Sequence, residues 1–397
     1  MIAHIDADSF FASVLVRLHP HLKGKHVLAI GMGGSCVIAA TYEAKRKGVK
    51  TGMRLQEARL LVPDAIEMSS DFRETGLASE QIKSILRDLC PVIEQMSIDE
   101  WFLDLSALVG GVPEHPDEWA KETRLEILKQ TDLSMSVGIA PTKTLAKMAS
   151  EYRKPAGITV LTQENTEVFL RDRPVAAIPG IGRQRTVKID ALGWITAWDF
   201  TQARDEALTH ICGCTGLELK RELHGQRVYT VSTDIRPPKS ISRCRTFRAT
   251  TDSALMKAHL LKHLEYCTMK MRRQSLVCKE VSIHVRTPDY HYSGAHHRFV
   301  QPCCTVSQML PAVLSALERL AGHGRKFGQV GLALHGLVPA GTVQSSLFEN
   351  IESAVADEHL QAALDTIQTR FGRDSVTRGA ALQVKSGTKQ ELEMTIV

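Results

Sequence analysis

The stretch VIEQMSIDEWFLDL, residues 92–105, places an adjacent acidic pair, Asp99 and Glu100, between two apolar flanks. Valine, isoleucine, tryptophan and phenylalanine are common in strands, so the flanks predict two short strands that meet at a tight turn. Neighbouring carboxylates repel each other unless a cation neutralises them, and Mg²⁺ prefers oxygen ligands. The stretch therefore predicts a metal site at a sheet edge, with a further acidic group elsewhere. For such a pair in isolation, a charged turn is the alternative.

A second acidic stretch lies near the start of the chain. Met1–Ile5 is typical of a short buried strand, and Asp6-Ala7-Asp8 follows it before a predicted helix that begins near Ser9. Open α/β sheets place their chemistry at the carboxyl ends of strands, so Asp6 is a candidate partner for the acidic pair in a two-metal site. Asp8 either belongs to the same site or only caps the helix.

A short basic helix is predicted after the next strands. Tyr42, Lys45 and Arg46 follow helical spacing and so share a face. A hydroxyl and two cations on one face could bind a polyphosphate. A solvated basic face is the alternative.

The order of predicted elements indicates the fold around the acidic residues. The strand at the start, a helix over about 71–89, the hairpin, a helix over Asp117–Gln130 and the strand Leu133–Ile139 follow one another. A strand, a helix, a hairpin, a helix and a strand in that order fit a ferredoxin-like α+β unit.

Charge is concentrated in one segment. The chain has 397 residues, 43% of them hydrophobic, which favours two to three domains, and its net charge is +5. Residues 236–286 contain 12 Lys and Arg against 3 Asp and Glu, so this segment is the basic one. Within it, Ile241, Arg243 and Arg245 share one face of a predicted strand. This distribution favours a nucleic-acid partner for one module.

Composition also predicts the cellular setting. The nine cysteines show no double Cys-x-x-Cys pattern, which favours reduced thiols in a cytoplasmic protein. No basic region precedes an apolar core near Met1, so we expect no secretory signal. No apolar run approaches the ~18 residues of a membrane span.

The chain resembles Y-family translesion DNA polymerases, in the branch that contains bacterial polymerase IV and UmuC. The resemblance covers about residues 1–348 and is carried by Asp6–Phe11, Tyr42–Lys45, Ser97–Glu100, Ser136–Ala140 with Thr142–Lys147, and Lys154-Pro155. It implies an α+β multidomain protein. Its parts would be a ferredoxin-like palm (1–20 and 71–161), small fingers (21–70), a helical thumb containing a helix-hairpin-helix (162–232), an α/β little finger (236–338), and a clamp-binding linker with a C-terminal tail (339–397).

The resemblance also implies roles for single residues. The catalytic residues would be Asp6, Asp99 and Glu100, which would hold two Mg²⁺ ions with help from the carbonyl of Ala7. The nucleotide would be bound by Ser9, Phe10, Phe11, Tyr42, Lys45, Arg46 and Lys154, with Phe11 as the aromatic ring that leaves no room for a 2′-hydroxyl. The family more often has arginine at the position of Lys45, and polymerase IV usually has asparagine at that of Ala156.

Two further regions suggest macromolecular partners. Ile178–Gly182 looks like a helix-hairpin-helix turn, in which Gly180 and Gly182 would let the backbone approach a DNA phosphate. In the basic segment the candidate DNA-binding residues are Lys239, Arg243, Arg245 and Arg248, and such contacts make binding depend steeply on salt. The peptide Gln344-Ser345-Ser346-Leu347-Phe348 resembles a sliding-clamp motif, with Gln344, Leu347 and Phe348 as its binding residues. Beyond it we expect one helix with Leu360, Leu364, Ile367 and Phe371 on a face.

The implied function is template-directed, Mg²⁺-dependent, low-fidelity DNA synthesis past damaged bases. Primer-template DNA, deoxynucleoside triphosphates and the clamp would be partners, and the sequence leaves open UmuD-like subunits and a recombinase filament. One alternative is a non-catalytic, clamp-bound DNA-binding accessory protein. The other alternative is a Mg²⁺-dependent phosphatase of the haloacid-dehalogenase type, because an apolar strand that ends in Asp-x-Asp is typical of that family as well as of the polymerases. That family, however, needs threonine or valine at the position of Phe10.

Overall fold

A computed structural model describes residues 1–31, 35–234, 237–322, 324–342, 351–372, 375–376 and 378–379. The chain divides after Asp234 into two compact units. The predicted clamp-binding residues Gln344, Leu347 and Phe348 lie outside the described residues.

The first unit contains two sheets and a helical segment. Its elements in chain order are β1 (Ile2–Ala7), α1 (Phe10–Leu18), β2 (Val27–Ile30), β3 (Val37–Ala40), α2 (Tyr42–Arg46), α3 (Leu55–Leu61), β4 (Ile66–Ser69), α4 (Phe72–Leu89), β5 (Ile93–Gln95), β6 (Glu100–Asp104), α5 (Pro116–Thr131), β7 (Met135–Ala140), α6 (Lys143–Tyr152), β8 (Ile158–Val160), α7 (Gln163–Asp172), α8 (Arg183–Asp190), α9 (Ala197–Gln202), α10 (Asp205–Cys212) and α11 (Cys214–Leu223).

The larger sheet confirms the ferredoxin-like prediction. Its strand order is β5-β6-β1-β7-β8. Strand β1 runs antiparallel to both β6 and β7, and β5 and β6 form the predicted antiparallel hairpin. Strand β8 adds a parallel edge next to β7. The register sets Asp6 opposite Glu100, so the two predicted carboxylates stand on adjacent strands.

Helix α6 packs directly on the backbone of this sheet. Gly138 in β7 makes this possible, because a Cβ at that position would lie 2.1 Å from the carbonyl oxygen of Ala146 and 2.3 Å from the amide nitrogen of Ser150. A glycine in a strand often marks such a close approach. The close packing sets the position of the α6 side chains over β1.

The smaller sheet and the helical segment complete the unit. The smaller sheet has the order β3-β2-β4. Helix α11 is tied to α6 by Glu222, a carboxylate that is 0% exposed. It accepts hydrogen bonds from the amide nitrogens of Thr144 (3.0 Å), Val228 (2.7 Å) and Tyr229 (2.9 Å). Buried carboxylates need such partners, so this contact fixes α11 against α6.

The second unit is a five-stranded antiparallel sheet with helices on it. It contains β9 (Ser240–Thr250), α12 (Ser253–Arg273), β10 (Leu276–Arg286), β11 (Tyr292–Cys303), α13 (Val306–Ala321), β12 (Phe327–His335), β13 (Val338–Pro339) and α14 (Ile351–Phe371). The strand order is β11-β10-β12-β9, and β13 pairs with β10. The sequence analysis did not predict β11 and α13.

Helix α14 confirms the helix predicted near the end of the chain, but three of the four residues on its predicted apolar face are exposed, and Leu364 is half-buried. Leu360, Ile367 and Phe371 are 57%, 38% and 66% exposed. The helix contacts the unit through polar groups instead, because the guanidinium of Arg272 bonds to Asp365 at 2.7 Å.

All nine cysteines are free thiols, as predicted. Within the described ranges, none of the helices combines the length and the apolar character that crossing a membrane requires.

Candidate active site

The structure brings the three predicted catalytic carboxylates together. Strand pairing sets Asp6 against Glu100, and the amide nitrogen of Ala7 donates to the carbonyl of Asp99 at 2.9 Å. Carboxylate oxygens of Asp6 and Glu100 and a ring nitrogen of His4 lie within 4.8 Å of one another. The site therefore stands at the carboxyl end of β1, next to the β5–β6 turn.

Burial and mutual repulsion make Asp6 and Asp99 hard to ionise. The pKa of Asp6 is raised to about 7, chiefly by burial; the negative charges of Glu100 and Asp99 contribute to this rise, and the Lys154 ammonium opposes it. The pKa of Asp99 is also raised, chiefly by burial, while a hydrogen bond from the Ser97 hydroxyl opposes the shift. Positive charge nearby is needed to hold both side chains as carboxylates.

Two lysines supply positive charge at the site. Lys154 forms an ion pair with Asp6, and the ammonium of Lys147 lies 2.5 Å from a carboxylate oxygen of Glu100. Burial opposes protonation of Lys147, but its bond to Glu100 raises the pKa of this ammonium overall. The clustered carboxylate oxygens match the ligand preference of a hard divalent cation, which would supply the same charge. The residues present therefore fit the implied metal.

Asp8 is a structural anchor, and the helix-cap alternative is wrong. Helix α1 begins after Ser9 without a side-chain cap. The Asp8 carboxylate is 2% exposed and accepts hydrogen bonds from the hydroxyls of Ser134 (2.7 Å) and Ser136 (2.8 Å) and from the amide of Ala156 (2.8 Å). These bonds hold the segment that carries Lys154 against the end of β1.

Of the predicted nucleotide-binding residues on α2, Tyr42 and Lys45 lie near the site and Arg46 does not. The hydroxyl of Tyr42 lies 3.4 Å from an Asp8 oxygen, and the ammonium of Lys45 lies 4.6 Å from the centre of the Tyr42 ring. Burial lowers the pKa of Lys45, and the nearby charge of Lys154 lowers it further, which places these two cations near each other. Arg46 is exposed and pairs with Glu43 at 3.6 Å, so the structure does not bring it to the site.

The predicted nucleotide-binding residues at the start of α1 differ in burial and in backbone conformation. Phe10 is 2% exposed in the core, which leaves only its backbone for a nucleotide contact. Phe11 is half-buried, and its ring centre lies 5.6 Å from that of Phe72. Ser9 has a φ of 49°, so the chain turns sharply between Asp8 and the helix.

The predicted DNA-binding residues lie on two separate elements. Gly180 has a φ of 90°, which favours glycine, and α8 begins directly after Gly182, as expected for the predicted turn. On β9, Ile241 is buried and the Arg243 guanidinium lies 4.6 Å from the Tyr266 ring centre in α12. The face with Arg243 is therefore turned toward α12.

The remaining basic residues follow the alternation of β9. Arg245 shares the face of Arg243, and its charge is among the causes that lower the pKa of His259 in α12. Arg248 lies on the opposite, exposed face, and Lys239 is exposed before the strand begins.

Family models match both units of the chain. A model described as the impB/mucB/samB family matches residues 5–151, and one described as the impB/mucB/samB family C-terminal domain matches residues 238–347. The first match contains the carboxylate cluster, and the second contains all strands of the antiparallel sheet.

Curated relatives match over most of their length. DNA polymerase IV of Neisseria meningitidis is 33% identical over 358 residues, which cover 85% of this chain and 96% of the relative. Protein SamB of Salmonella typhimurium is 29% identical over 385 residues, covering 92% and 90%. DNA polymerase IV of Caulobacter vibrioides is 30% identical over 389 residues, covering 96% and 94%.

Solved structures of Y-family DNA polymerases are also similar to this chain. A Dbh–Dpo4 chimera of Y-family DNA polymerases superposes with a TM-score of 0.74 at 26% identity, covering 85% of this chain and 99% of the chimera. An insertion ternary complex of Dbh DNA polymerase superposes with a TM-score of 0.61 at 25% identity, again covering 85% and 99%.

Proposed function

Because the chain belongs to the Y family of translesion DNA polymerases, we propose that Asp6, Asp99 and Glu100 hold two Mg²⁺ ions during primer extension. The protein is a DNA-directed DNA polymerase that carries out translesion synthesis, with DNA and deoxynucleoside triphosphates as its partners. The phosphatase alternative is wrong, as is the non-catalytic accessory. The observation that carries the proposal is the pairing that brings Asp6 and Glu100 together on adjacent strands, with Asp99 directly before Glu100.

The ions would be held by the three carboxylates with the carbonyl of Ala7. Bound there, Mg²⁺ would lower the pKa of the primer 3′-hydroxyl and neutralise charge on the triphosphate. The chain's own groups do the rest of the binding. Lys45 and Lys154 offer ammonium groups to the triphosphate, and Tyr42, whose ring lies against Lys45, offers a hydroxyl. Lysine acts as a point charge, so Lys45 attracts phosphate without the fixed two-point geometry of arginine.

The proposal extends to the macromolecular partners and to fidelity. Gly180 and Gly182 would contact DNA phosphate through the backbone, and Lys239, Arg243, Arg245 and Arg248 would contribute charge from the basic segment. Residues 344–348 would bind the sliding clamp. Low fidelity follows from the resemblance to polymerases with an open site. A lesion-bypass assay decides whether UmuD-like subunits and a recombinase filament take part. It compares synthesis with and without these partners.

Primer extension with Mg²⁺ and deoxynucleoside triphosphates tests the assignment of the catalytic residues. We expect Asp99→Ala combined with Glu100→Ala to reduce extension to background, because the site then keeps only one of its three carboxylates. The matched control is Asp117→Ala combined with Glu118→Ala, an adjacent acidic pair exposed at the start of α5. Equal extension by the active-site variant and the intact chain would refute the proposal.

A further inference from the structure

The Asp8 carboxylate helps to fix the backbone of the segment that carries Lys154. Its Oδ2 oxygen accepts a hydrogen bond at 2.8 Å from the amide nitrogen of Ala156, two residues after Lys154. The carbonyl oxygen of Ala156 accepts a bond at 2.9 Å from the Arg124 guanidinium in α5. Hydrogen bonds that involve a charged group are the stronger ones, so the peptide groups on both sides of Ala156 are held firmly. The Lys154 side chain therefore extends from a fixed backbone.

The same carboxylate reaches the start of α2 through Tyr42. The hydroxyl oxygen of Tyr42 lies 3.4 Å from the Oδ1 oxygen of Asp8. A carboxylate only accepts hydrogen bonds, and a tyrosine hydroxyl has a single hydrogen, so Tyr42 is the donor. Oδ1 also accepts a bond from the Ser136 hydroxyl at 2.8 Å. The longer bond from Tyr42 is the weaker of the two and the easier to exchange.

A triphosphate would compete with Asp8 for the Tyr42 hydrogen. Ionised phosphate oxygens, like carboxylate oxygens, only accept hydrogen bonds. With one hydrogen, the Tyr42 hydroxyl cannot make a full bond to both groups. Without nucleotide, Asp8 orients the hydroxyl. With nucleotide, the hydroxyl donates to phosphate, while Asp8 keeps its shorter bonds and with them the Lys154 segment.

We propose that Asp8 is a positioning residue for the incoming deoxynucleoside triphosphate, whose carboxylate sets the Lys154 segment and the Tyr42 hydroxyl in place before the nucleotide binds. Groups that are already in place lose less freedom on binding, so Asp8 should strengthen nucleotide binding. It should change the rate of the chemical step little, because the side chain is buried and bonded to donors of the protein. The inference rests on the proposed function, because it requires Tyr42 and Lys154 to bind the triphosphate.

Single-turnover incorporation of one deoxynucleotide, measured over a range of nucleotide concentrations, separates the nucleotide dissociation constant from the maximal rate. We expect Asp8→Ala to raise the dissociation constant about 10-fold or more and to change the maximal rate less than about 3-fold. Asp8→Asn should bind the nucleotide nearly as the intact chain does. Its amide oxygen can accept from Ala156, and its amide nitrogen can donate to the hydroxyl oxygens of Ser136 and Tyr42. Equal weakening in Asp8→Asn and Asp8→Ala would overturn the proposal, because the charge and not the positioning would then matter.

Two serine variants control for local disturbance and for misfolding. The Ser13 hydroxyl donates to the backbone carbonyl of Asp8 at 2.6 Å, so Ser13→Ala removes a bond near the carboxylate but not to it. Nucleotide binding that is weakened equally in Ser13→Ala and Asp8→Ala would contradict the proposal. If Asp8→Ala does not fold, Ser136→Ala, which removes one donor to the carboxylate, replaces it. We expect binding about 3-fold weaker in Ser136→Ala, and unchanged binding would overturn the proposal.

Variants of the binding groups separate this inference from the proposed function. Tyr42→Phe and Lys154→Ala should each weaken nucleotide binding. Asp8→Ala should have a smaller effect in the Tyr42→Phe background than in the intact chain, because residues in contact do not act independently. If neither Tyr42→Phe nor Lys154→Ala weakens binding, the proposed assignment of the triphosphate site fails, and the inference fails with it. If both weaken binding and Asp8→Ala does not, only the role of Asp8 is refuted.

Discussion

At the scale of single residues, the site depends on contacts between residues far apart in sequence. The Asp8 carboxylate joins the end of β1 to Ser136 in β7 and to the segment around Ala156. The motifs predicted that Asp6, Asp99 and Glu100 belong together, but they did not predict these anchoring bonds. Serine and alanine carry no local signal of a distant partner, so such bonds become visible only in the structure.

Phe11 offers a test of sugar selection. Its ring is half-buried beside Phe72, so a face remains available to a nucleotide. We expect Phe11→Ala to admit ribonucleotides, because the smaller side chain leaves space for a 2′-hydroxyl. Single-nucleotide incorporation with matched deoxy- and ribonucleoside triphosphates measures the ratio. Phe72→Ala is the control for loosened packing, and unchanged selectivity in Phe11→Ala would show that the ring serves only the core.

Ala156 adopts a backbone conformation that suits asparagine better than alanine. Its φ is 57°, in the left-handed region, and the residue is exposed. This region costs most L-residues roughly 1–2 kcal/mol, whereas asparagine enters it readily. We expect Ala156→Asn to raise the free energy of unfolding by about 1 kcal/mol, measured by chemical denaturation. Ala156→Val should lower it, and a gain in both variants would contradict the explanation.

At the scale of secondary structure, elements with a clear apolar pattern were predicted and elements without one were missed. Strand β11 is an edge strand, and most of its residues are exposed or half-buried, so its sequence lacks a regular apolar alternation. Helix α13 contains Pro311, which conceals a helix in sequence analysis. Strand β11 pairs with β10 and helix α13 packs on it. The local sequence pattern of either element does not contain this information about a distant partner.

Helix α12 makes the second unit sensitive to acid. The pKa of His259 is lowered to about 4 and that of His263 to about 3, chiefly by burial, with the charges of Arg243 and Arg245 contributing to both shifts. The native rings thus stay neutral at a pH where the unfolded chain binds protons, below about 6.5. The free energy of unfolding should therefore fall as the pH decreases, by on the order of 2 kcal/mol for each histidine between pH 6.5 and 5.

His263→Leu tests this dependence. Neither ring nitrogen of His263 has a hydrogen-bond partner among the described residues, so leucine replaces the ring without breaking a bond. We expect the free energy of unfolding of the variant, measured with a chemical denaturant, to fall less between pH 7 and pH 5 than that of the intact chain. His291→Ala, at a side chain that is 79% exposed, should keep the full dependence. An unchanged slope in His263→Leu would show that other groups cause the acid sensitivity.

At the scale of the whole molecule, the two units contain different candidate sites. The carboxylate cluster lies in the first unit, and the basic segment lies in the second. Charge distribution and motif order predict a catalytic role for the first and DNA binding for the second, and these roles stay predictions. Sequence patterns could not predict that Leu360, Ile367 and Phe371 on α14 would stay exposed, because the docking of that helix includes single polar contacts such as Arg272 with Asp365.

Residues 344–348 support a prediction about the intact protein. Deleting Gln344–Phe348 should reduce synthesis stimulated by a sliding clamp and leave basal synthesis unchanged, since the peptide lies outside the carboxylate cluster in sequence. Primer extension with and without the loaded clamp measures both. Replacing the five residues by Gly-Ser-Gly-Ser-Gly keeps the length of the chain as a control for spacing. Equal stimulation of all three proteins would make the peptide a simple linker.

The glycine at position 138 has a consequence for how variants of this enzyme are interpreted. A single methyl group there would collide with the backbone of α6 and force the helix outward, together with Lys147 and Ser150. A mutational scan would then score Gly138 as if it took part in the reaction, although glycine has no side chain to offer. Loss of activity on substitution at this position would reflect the short distance between α6 and the sheet. Sensitivity to substitution alone therefore does not identify the residues that perform chemistry.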